Sequence, residues 1–209
     1  FGSVFAYEQA HVALVTPESA LLFTDSRYST AALDAATDTP WEVVLELDDR
    51  AKAVAARALG AGARRIGFED TLSVATWAQY AAAFGDDGEM VETSDAVRSL
   101  RATKEPSEIT AIRAAQAITD AAFLHMVEWM APGVEERLVA LELERWMREQ
   151  GSEGVAFDAI IASGPNSALP HATPGSRRLA KGDLVVLDFG ARVGGYRSDM
   201  TRTVGIGEV

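Results

Sequence analysis

The chain has 209 residues, of which 48% are hydrophobic and 24% charged, so it can bury a core and lacks the composition of a disordered segment. Its formal net charge of -12 argues against nucleic acid as a partner, because Lys and Arg supply most of the affinity for a phosphate backbone. Cysteine is absent, which excludes disulfides, thiolate metal sites and cysteine nucleophiles and makes the cytoplasm the expected compartment. No signal-peptide pattern opens the chain and no apolar run approaches about 18 residues, so we expect no membrane association.

The first hundred residues alternate between strand-like and helix-like patterns. The patterns predict strands at 11–15, 20–24, 41–47 and 65–68 and helices at 26–36, 50–59 and 73–84. Such alternation is typical of crossover units, so we expect an α/β domain over residues 1–101. The chain begins at Phe1 without an initiating methionine, and we expect part of an upstream element to be missing.

The pattern changes near residue 100, where a second domain, residues 102–209, is expected to begin. The segment KEPSE at 104–108 resembles a helix start, with proline in the first turn and carboxylates at the positive end of the helix dipole. Helical spacing continues to residue 130, and a second helix is predicted over 135–150 after a Pro-Gly break. Strand-like stretches at 184–192 and 196–205 flank Val-Gly-Gly at 193–195, so the domain is read as two helices followed by a sheet, an α+β arrangement.

Two carboxylates, Asp188 and Asp199, lie on the two sides of this predicted hairpin. In a hairpin, the residue numbers of any two facing positions add up to the same value. If Asp188 and Asp199 face each other, the centre of the turn lies between Val193 and Gly194. Without a bulge the two are direct cross-strand partners on one face, with Cβ atoms about 4.5 to 5.5 Å apart. Carboxylates that close repel each other, and Asp188 follows four apolar residues, so a neutralising partner is required. A hard or borderline dication, or two sharing the pair, suits these oxygen ligands.

Other interpretations of the same residues stay open at this point. In one of them Asp188 is a cap or the partner of a nearby arginine, at 192, 197 or 202, and Asp199 lies in solvent. A proton shared between the two carboxyl groups is a third possibility. On its own surroundings, His171 is typical of a loop histidine, while His11 and His125 fit structural positions in a strand and a helix.

Five segments together closely resemble the aminopeptidase P and prolidase family. They are IASGPNSALPH at 161–171, DFGAR at 188–192, GYRSDMTRT at 195–203, TDSRY at 24–28 and KEPSE at 104–108. The resemblance covers essentially the whole chain. It implies an N-terminal α/β domain of the creatinase/prolidase type followed by the first half of a pita-bread catalytic domain, so that the chain would be an incomplete member of the family.

The resemblance also implies a dinuclear centre of manganese, cobalt or zinc with five protein ligands. Asp188 and Asp199 match its two aspartates, whereas the histidine and the two glutamates are expected beyond Val209. In the family a metal-bridging hydroxide attacks the carbonyl before a proline. His171 matches a histidine that contacts the substrate or the developing tetrahedral intermediate. Thr201 and Arg202 are candidates for fixing Asp199 from outside the ligand set, and a purely structural place on the sheet face is an equal alternative for both.

We therefore expect a cytoplasmic, homodimeric Xaa-Pro aminopeptidase or dipeptidase that acts on proline-containing peptides, with residues 1–209 alone inactive. One alternative is a non-catalytic pita-bread protein that binds a peptide or protein surface, and another is a creatinase-like hydrolase that works without metals. The retained aspartate pair disfavours both. Asp188-Phe189-Gly190 also matches a kinase metal motif, but the nucleotide loop and the catalytic loop of a kinase are missing.

Overall fold

The computed structural model describes residues 11–46 and 48–208, which divide into two compact units between Thr103 and Lys104. Each unit has its own hydrophobic core. Within the described residues, no helix combines the length and the apolar character that crossing a membrane requires.

The first unit is built from short strands and helices in alternation. Its strands are β1 Val12–Val15, β2 Ala20–Thr24, β3 Trp41–Leu45, β4 Arg65–Phe68 and β5 Glu89–Glu92, and its helices are α1 Ser29–Ala36, α2 Arg50–Gly60, α3 Val74–Phe84 and α4 Ala96–Ala102. β2 pairs antiparallel with β1 and parallel with β3, while β4 pairs parallel with β5. The side chains of Asp49 and Ser73 accept hydrogen bonds from the first turns of α2 and α3, which is why these helices begin there.

The α/β pattern predicted for this unit is confirmed, with two elements missed. The predicted helix at 26–36 starts as a 3-10 turn at Ser26–Tyr28 before α1, and position 47 of the predicted third strand lies outside the described residues. The missed elements are β5 and α4. β5 is only four residues long and its pairing partner, β4, lies more than twenty residues earlier, so its own sequence carries little signal.

The second unit begins with two helices, α5 Pro106–Trp129 and α6 Glu136–Glu149. α5 starts at a reciprocal capping box in which the side chains of Glu105 and Glu108 each accept a backbone amide, with Pro106 in the first turn. Strands β6 Ile160–Ser163, β7 Leu184–Phe189, β8 Arg192–Val193, β9 Tyr196–Arg197 and β10 Met200–Gly205 follow.

β7 is the middle strand of an antiparallel sheet with the order β10, β7, β6. Its alternate residues Val185, Leu187 and Phe189 are fully buried in one core with side chains of α5 and α6. The helices therefore cover one face of the sheet. The opposite face carries Asp188, which is half-buried, and Leu184, which is 47% exposed.

The hairpin between β7 and β10 turns one position later than the sequence analysis predicted. Gly194 and Gly195 have φ angles of 57° and 77°, the two positive values that a type I′ turn needs. The turn centre thus lies between these two glycines, and the carboxylate of Glu153 accepts both of their amides at 2.8 and 3.2 Å. Each residue of β7 therefore faces a residue two positions later in β10 than predicted, and Asp188 faces Thr201 instead of Asp199. The prediction that Asp188 and Asp199 are direct cross-strand partners is wrong.

Between the paired segments, the two arms of the hairpin approach each other closely. A Cβ atom added at Gly190 would lie 1.9 Å from the carbonyl oxygen of Ser198 and 3.0 Å from the Cβ of Ala156. No side chain fits there without moving the backbone, so glycine is required at this crossing.

We expect Gly190→Ala to lower the free energy of unfolding by about 3 kcal/mol, because the added methyl group forces the arms apart in a packed core. Gly175→Ala is the matched control, since its Cβ would lie 3.8 Å from the Glu136 carboxylate, an ordinary contact. Urea unfolding followed by circular dichroism measures both. Equal stabilities for the two variants would contradict the close approach.

Candidate metal centre

Asp188 and Asp199 lie on the open face of the sheet, one step apart along the strands. Asp188 faces Thr201 on one side and Ile160 on the other. Asp199 directly precedes β10 and alternates with Met200, which is buried, so its exposed side chain shares a face with Thr201 and Asp188. The two carboxylates are therefore diagonal neighbours, for which a separation of about 7–8 Å is usual.

Asp188 is held by the strand next to it. The Thr201 hydroxyl donates to Asp188 Oδ1 at 2.9 Å. The sequence analysis made Thr201 and Arg202 candidates for fixing Asp199, whereas the Thr201 hydroxyl contacts Asp188. Arg202 Nη1 donates to the carbonyl oxygen of Thr201 at 2.8 Å, so the contact seen for Arg202 is with the backbone and not with a carboxylate.

The arginine partner considered from the sequence is not found. Across residues 11–46 and 48–208, no ion pair within 4.0 Å includes Asp188 or Asp199, and Arg192 pairs with Glu153 instead at 3.5 Å. Carboxylate oxygens on an accessible face suit a divalent cation. The same described residues contain no group of three His, Cys, Asp or Glu side chains placed to hold a metal ion. The pair thus fits a dication as part of a larger donor set.

His171 lies in an exposed turn of the long connection between β6 and β7. That connection opens with a 3-10 turn at Gly164–Ala168. The part that carries His171, residues 163–175, has its two ends tied together by one buried side chain, which the sequence analysis missed.

This side chain is Glu136, the first residue of α6, which is completely buried. Its carboxylate accepts the Ser163 amide at 2.8 Å and the Ser163 hydroxyl at 2.7 Å, before the 3-10 turn. It also accepts the side-chain amide of Asn166 at 3.2 Å and the backbone amide of Gly175 at 3.2 Å. Glu136 therefore closes the base of the segment that carries His171.

Burial alone raises the pKa of the Glu136 carboxyl group, but the hydrogen bonds from Ser163, Gly175 and Asn166 outweigh it and hold the pKa below the usual value of 4.5. In the sequence, an acidic residue in the first helical turn is typical of a solvent-exposed cap. Only the packing of residues 163–175 over the start of α6 distinguishes this glutamate from such a cap.

We expect Glu136→Gln to lower the stability of the chain at neutral pH, because an amide cannot accept all of these donors. The folded-state pKa is depressed, so the ionised carboxylate stabilises the protein above about pH 4.5 and this contribution disappears as the pH falls below it. Urea unfolding between pH 3 and 7 should thus give a flatter pH profile for this variant than for the wild type. Glu144→Gln, at a partly exposed position of α6 where the carboxylate pairs with Arg148, should keep the wild-type profile. Identical profiles for all three proteins would contradict the assignment.

Comparison with known proteins identifies the family to which both units of the chain are similar. Residues 3–103 match the model of the creatinase/prolidase N-terminal domain, and residues 110–209 match that of metallopeptidase family M24. The chain is 38% identical to an uncharacterized peptidase of Bacillus subtilis, YqhT, over 95% of its own length and 56% of the relative. It is 35% identical to an Xaa-Pro dipeptidase of Pyrococcus horikoshii over 93% of its length and 53% of that protein.

Solved structures agree as well. An Xaa-Pro dipeptidase from Bacillus anthracis superposes with a TM-score of 0.90 at 39% identity, with 97% of this chain and 56% of that one covered. The prolidase from Pyrococcus furiosus gives a TM-score of 0.82 at 30% identity over 96% of this chain and 57% of that one. The chain thus spans about half the length of the relatives it matches. It belongs to metallopeptidase family M24 and joins a creatinase/prolidase N-terminal domain to part of a pita-bread catalytic domain.

Proposed function

We propose that this chain supplies the N-terminal half of a metallopeptidase that cleaves the peptide bond preceding proline. The observation that carries the proposal is the carboxylate pair, Asp188 and Asp199, on the open face of the sheet in a chain of family M24. Relatives named Xaa-Pro dipeptidase and a solved X-Pro aminopeptidase of Thermotoga maritima, 36% identical, support the substrate class. Both dipeptides and longer peptides with proline in the second position belong to the proposal.

In this proposal, Asp188 and Asp199 hold two divalent ions, manganese, cobalt or zinc, together with a histidine and two glutamates from beyond Val209. The bound ions would lower the pKa of water and polarise the scissile carbonyl. Thr201 would fix the orientation of the Asp188 carboxylate through its 2.9 Å hydrogen bond. For Arg202, whose contact is with the backbone, we propose no role at the metals.

His171 would donate a hydrogen bond where negative charge develops on the substrate. Its position on an exposed turn is compatible with contact to a peptide, and Glu136 keeps the two ends of that segment together. We also propose that the complete protein is a cytoplasmic homodimer. Light scattering of the purified protein tests the dimer directly.

Residues 1–209 alone should show no Xaa-Pro cleavage and only weak manganese affinity, because two carboxylates do not complete a dinuclear donor set. Extending the chain with the downstream coding sequence should produce metal binding and cleavage of a proline-containing dipeptide together. Calorimetry and a coupled proline assay measure the two. Efficient hydrolysis by residues 1–209 with manganese added would overturn the ligand assignment.

In the extended protein, Asp199→Asn should abolish cleavage while leaving the thermal unfolding temperature close to that of the wild type, because an amide does not supply an anionic ligand. Asp120→Asn is the control, since Asp120 lies on the exposed side of α5, where its carboxylate accepts a hydrogen bond from the Gln116 side chain. Normal turnover and metal content in Asp199→Asn would remove Asp199 from the site. Cleavage rates for a dipeptide and a tripeptide then decide between dipeptidase and aminopeptidase.

A further inference from the structure

The hairpin that carries the two aspartates has an interrupted hydrogen-bond ladder next to Asp199. The register of β7 with β10 continues unchanged into β8 and β9, so Gly190 faces Asp199 and Ala191 faces Ser198. The Ser198 amide donates to the Ala191 carbonyl at 3.0 Å, as in a regular antiparallel pair. The Ala191 amide does not donate to the Ser198 carbonyl, as it would in a regular antiparallel pair. It donates to the Ser198 hydroxyl at 2.9 Å and approaches the Thr119 hydroxyl at 3.2 Å.

The second hydroxyl comes from α5, almost eighty residues earlier in the chain. Thr119 is completely buried, and its Oγ1 lies 2.6 Å from the Oγ of Ser198, which is itself 4% exposed. Thr119 Oγ1 also lies 3.1 Å from the carbonyl oxygen of Ala115. One proton arrangement satisfies every group: Thr119 donates to Ala115, Ser198 donates to Thr119, and the Ala191 amide donates to Ser198.

These hydrogen bonds attach both arms of the hairpin to α5, next to Asp199. Ser198 directly precedes Asp199, and Ala191 follows the Gly190 crossing, where no side chain is tolerated. The Ser198 carbonyl therefore does not receive the Ala191 amide that it would accept in a regular strand pair. The backbone that presents Asp199 is set by the two hydroxyl groups as well as by strand pairing.

We propose that Thr119 is a positioning residue for the metal centre, which sets the direction of the Asp199 carboxylate by holding Ser198 and the Ala191 amide. The inference rests on the proposed function, since it assigns Asp199 to the metals. Thr119 touches neither metal nor substrate. It acts through Ser198, so its removal should change metal affinity before it changes the fold.

Thr119→Val tests this with the shape of the side chain kept and the hydroxyl removed. Ser198 can then still donate to the Ala115 carbonyl, 3.3 Å away, but the hydrogen bonds that the Thr119 hydroxyl makes with the Ala191 amide and with Ser198 are lost. Thr119→Ser keeps the hydroxyl and removes only a methyl group. Met126→Ala, two turns further along α5 in the same core, controls for general loosening.

The measurement is the manganese dissociation constant, determined by calorimetry on the extended protein. We expect Thr119→Val to weaken binding about 10- to 100-fold, the usual effect of removing a group that orients a metal ligand, and Thr119→Ser and Met126→Ala to stay close to wild type. If Thr119→Val does not fold, Ser198→Ala removes the other hydroxyl of the same chain and should give the same loss.

Wild-type affinity in Thr119→Val overturns the inference, and so does an equal loss in Thr119→Ser or in Met126→Ala. If the wild-type extended protein binds no manganese, cobalt or zinc, the proposed function itself fails. Metal binding by the wild type together with unchanged binding by Thr119→Val leaves the proposed function standing and overturns only the role of Thr119.

Discussion

The pairing of β7 with β10 is the interaction on which the rest of the second unit depends. It gives the sheet a face that is buried against α5 and α6 and a face that is open, because side chains alternate along each strand. Phe189 and Met200 face each other in the core, and the residues that directly precede them, Asp188 and Asp199, are thereby placed on the open face. The burial of apolar side chains thus orients the two charged ones without any contact between them.

Buried polar groups then attach the helices to particular points of this sheet and its connections. Glu136, at the start of α6, holds both ends of the segment that carries His171, and Thr119, within α5, holds the hairpin next to Asp199. An apolar core of the same volume would stabilise the unit but would not specify which points of the helices and the sheet lie against each other. Because a buried donor without a partner costs about 1–3 kcal/mol, the hydrogen-bonded arrangement is the one that the packed state selects.

Much of the fold could be predicted from the sequence because local signals agreed with the final packing. The capping box at Glu105 and Glu108, the Pro-Gly break before α6 and the two apolar alternations of the hairpin each mark an element boundary. β5 and α4 could not be predicted in this way, since one depends on pairing with β4 and the other has no side-chain cap. The role of Glu136 could not be predicted either, because its partners lie 27 to 39 residues away.

The carboxylate pair shows why the predicted face was right and the predicted partner was wrong. The sequence analysis centred the turn between Val193 and Gly194, whereas the positive φ angles place it one residue later, between Gly194 and Gly195. Each residue of β7 therefore faces a residue of β10 that lies two positions further along the chain than predicted. Side chains in a strand repeat with a period of two, so a shift of two keeps Asp188 and Asp199 on the same face. It places Thr201 opposite Asp188, where the threonine hydroxyl can orient the carboxylate. The diagonal spacing also reduces the repulsion between the two charges, because Coulomb energy falls with distance.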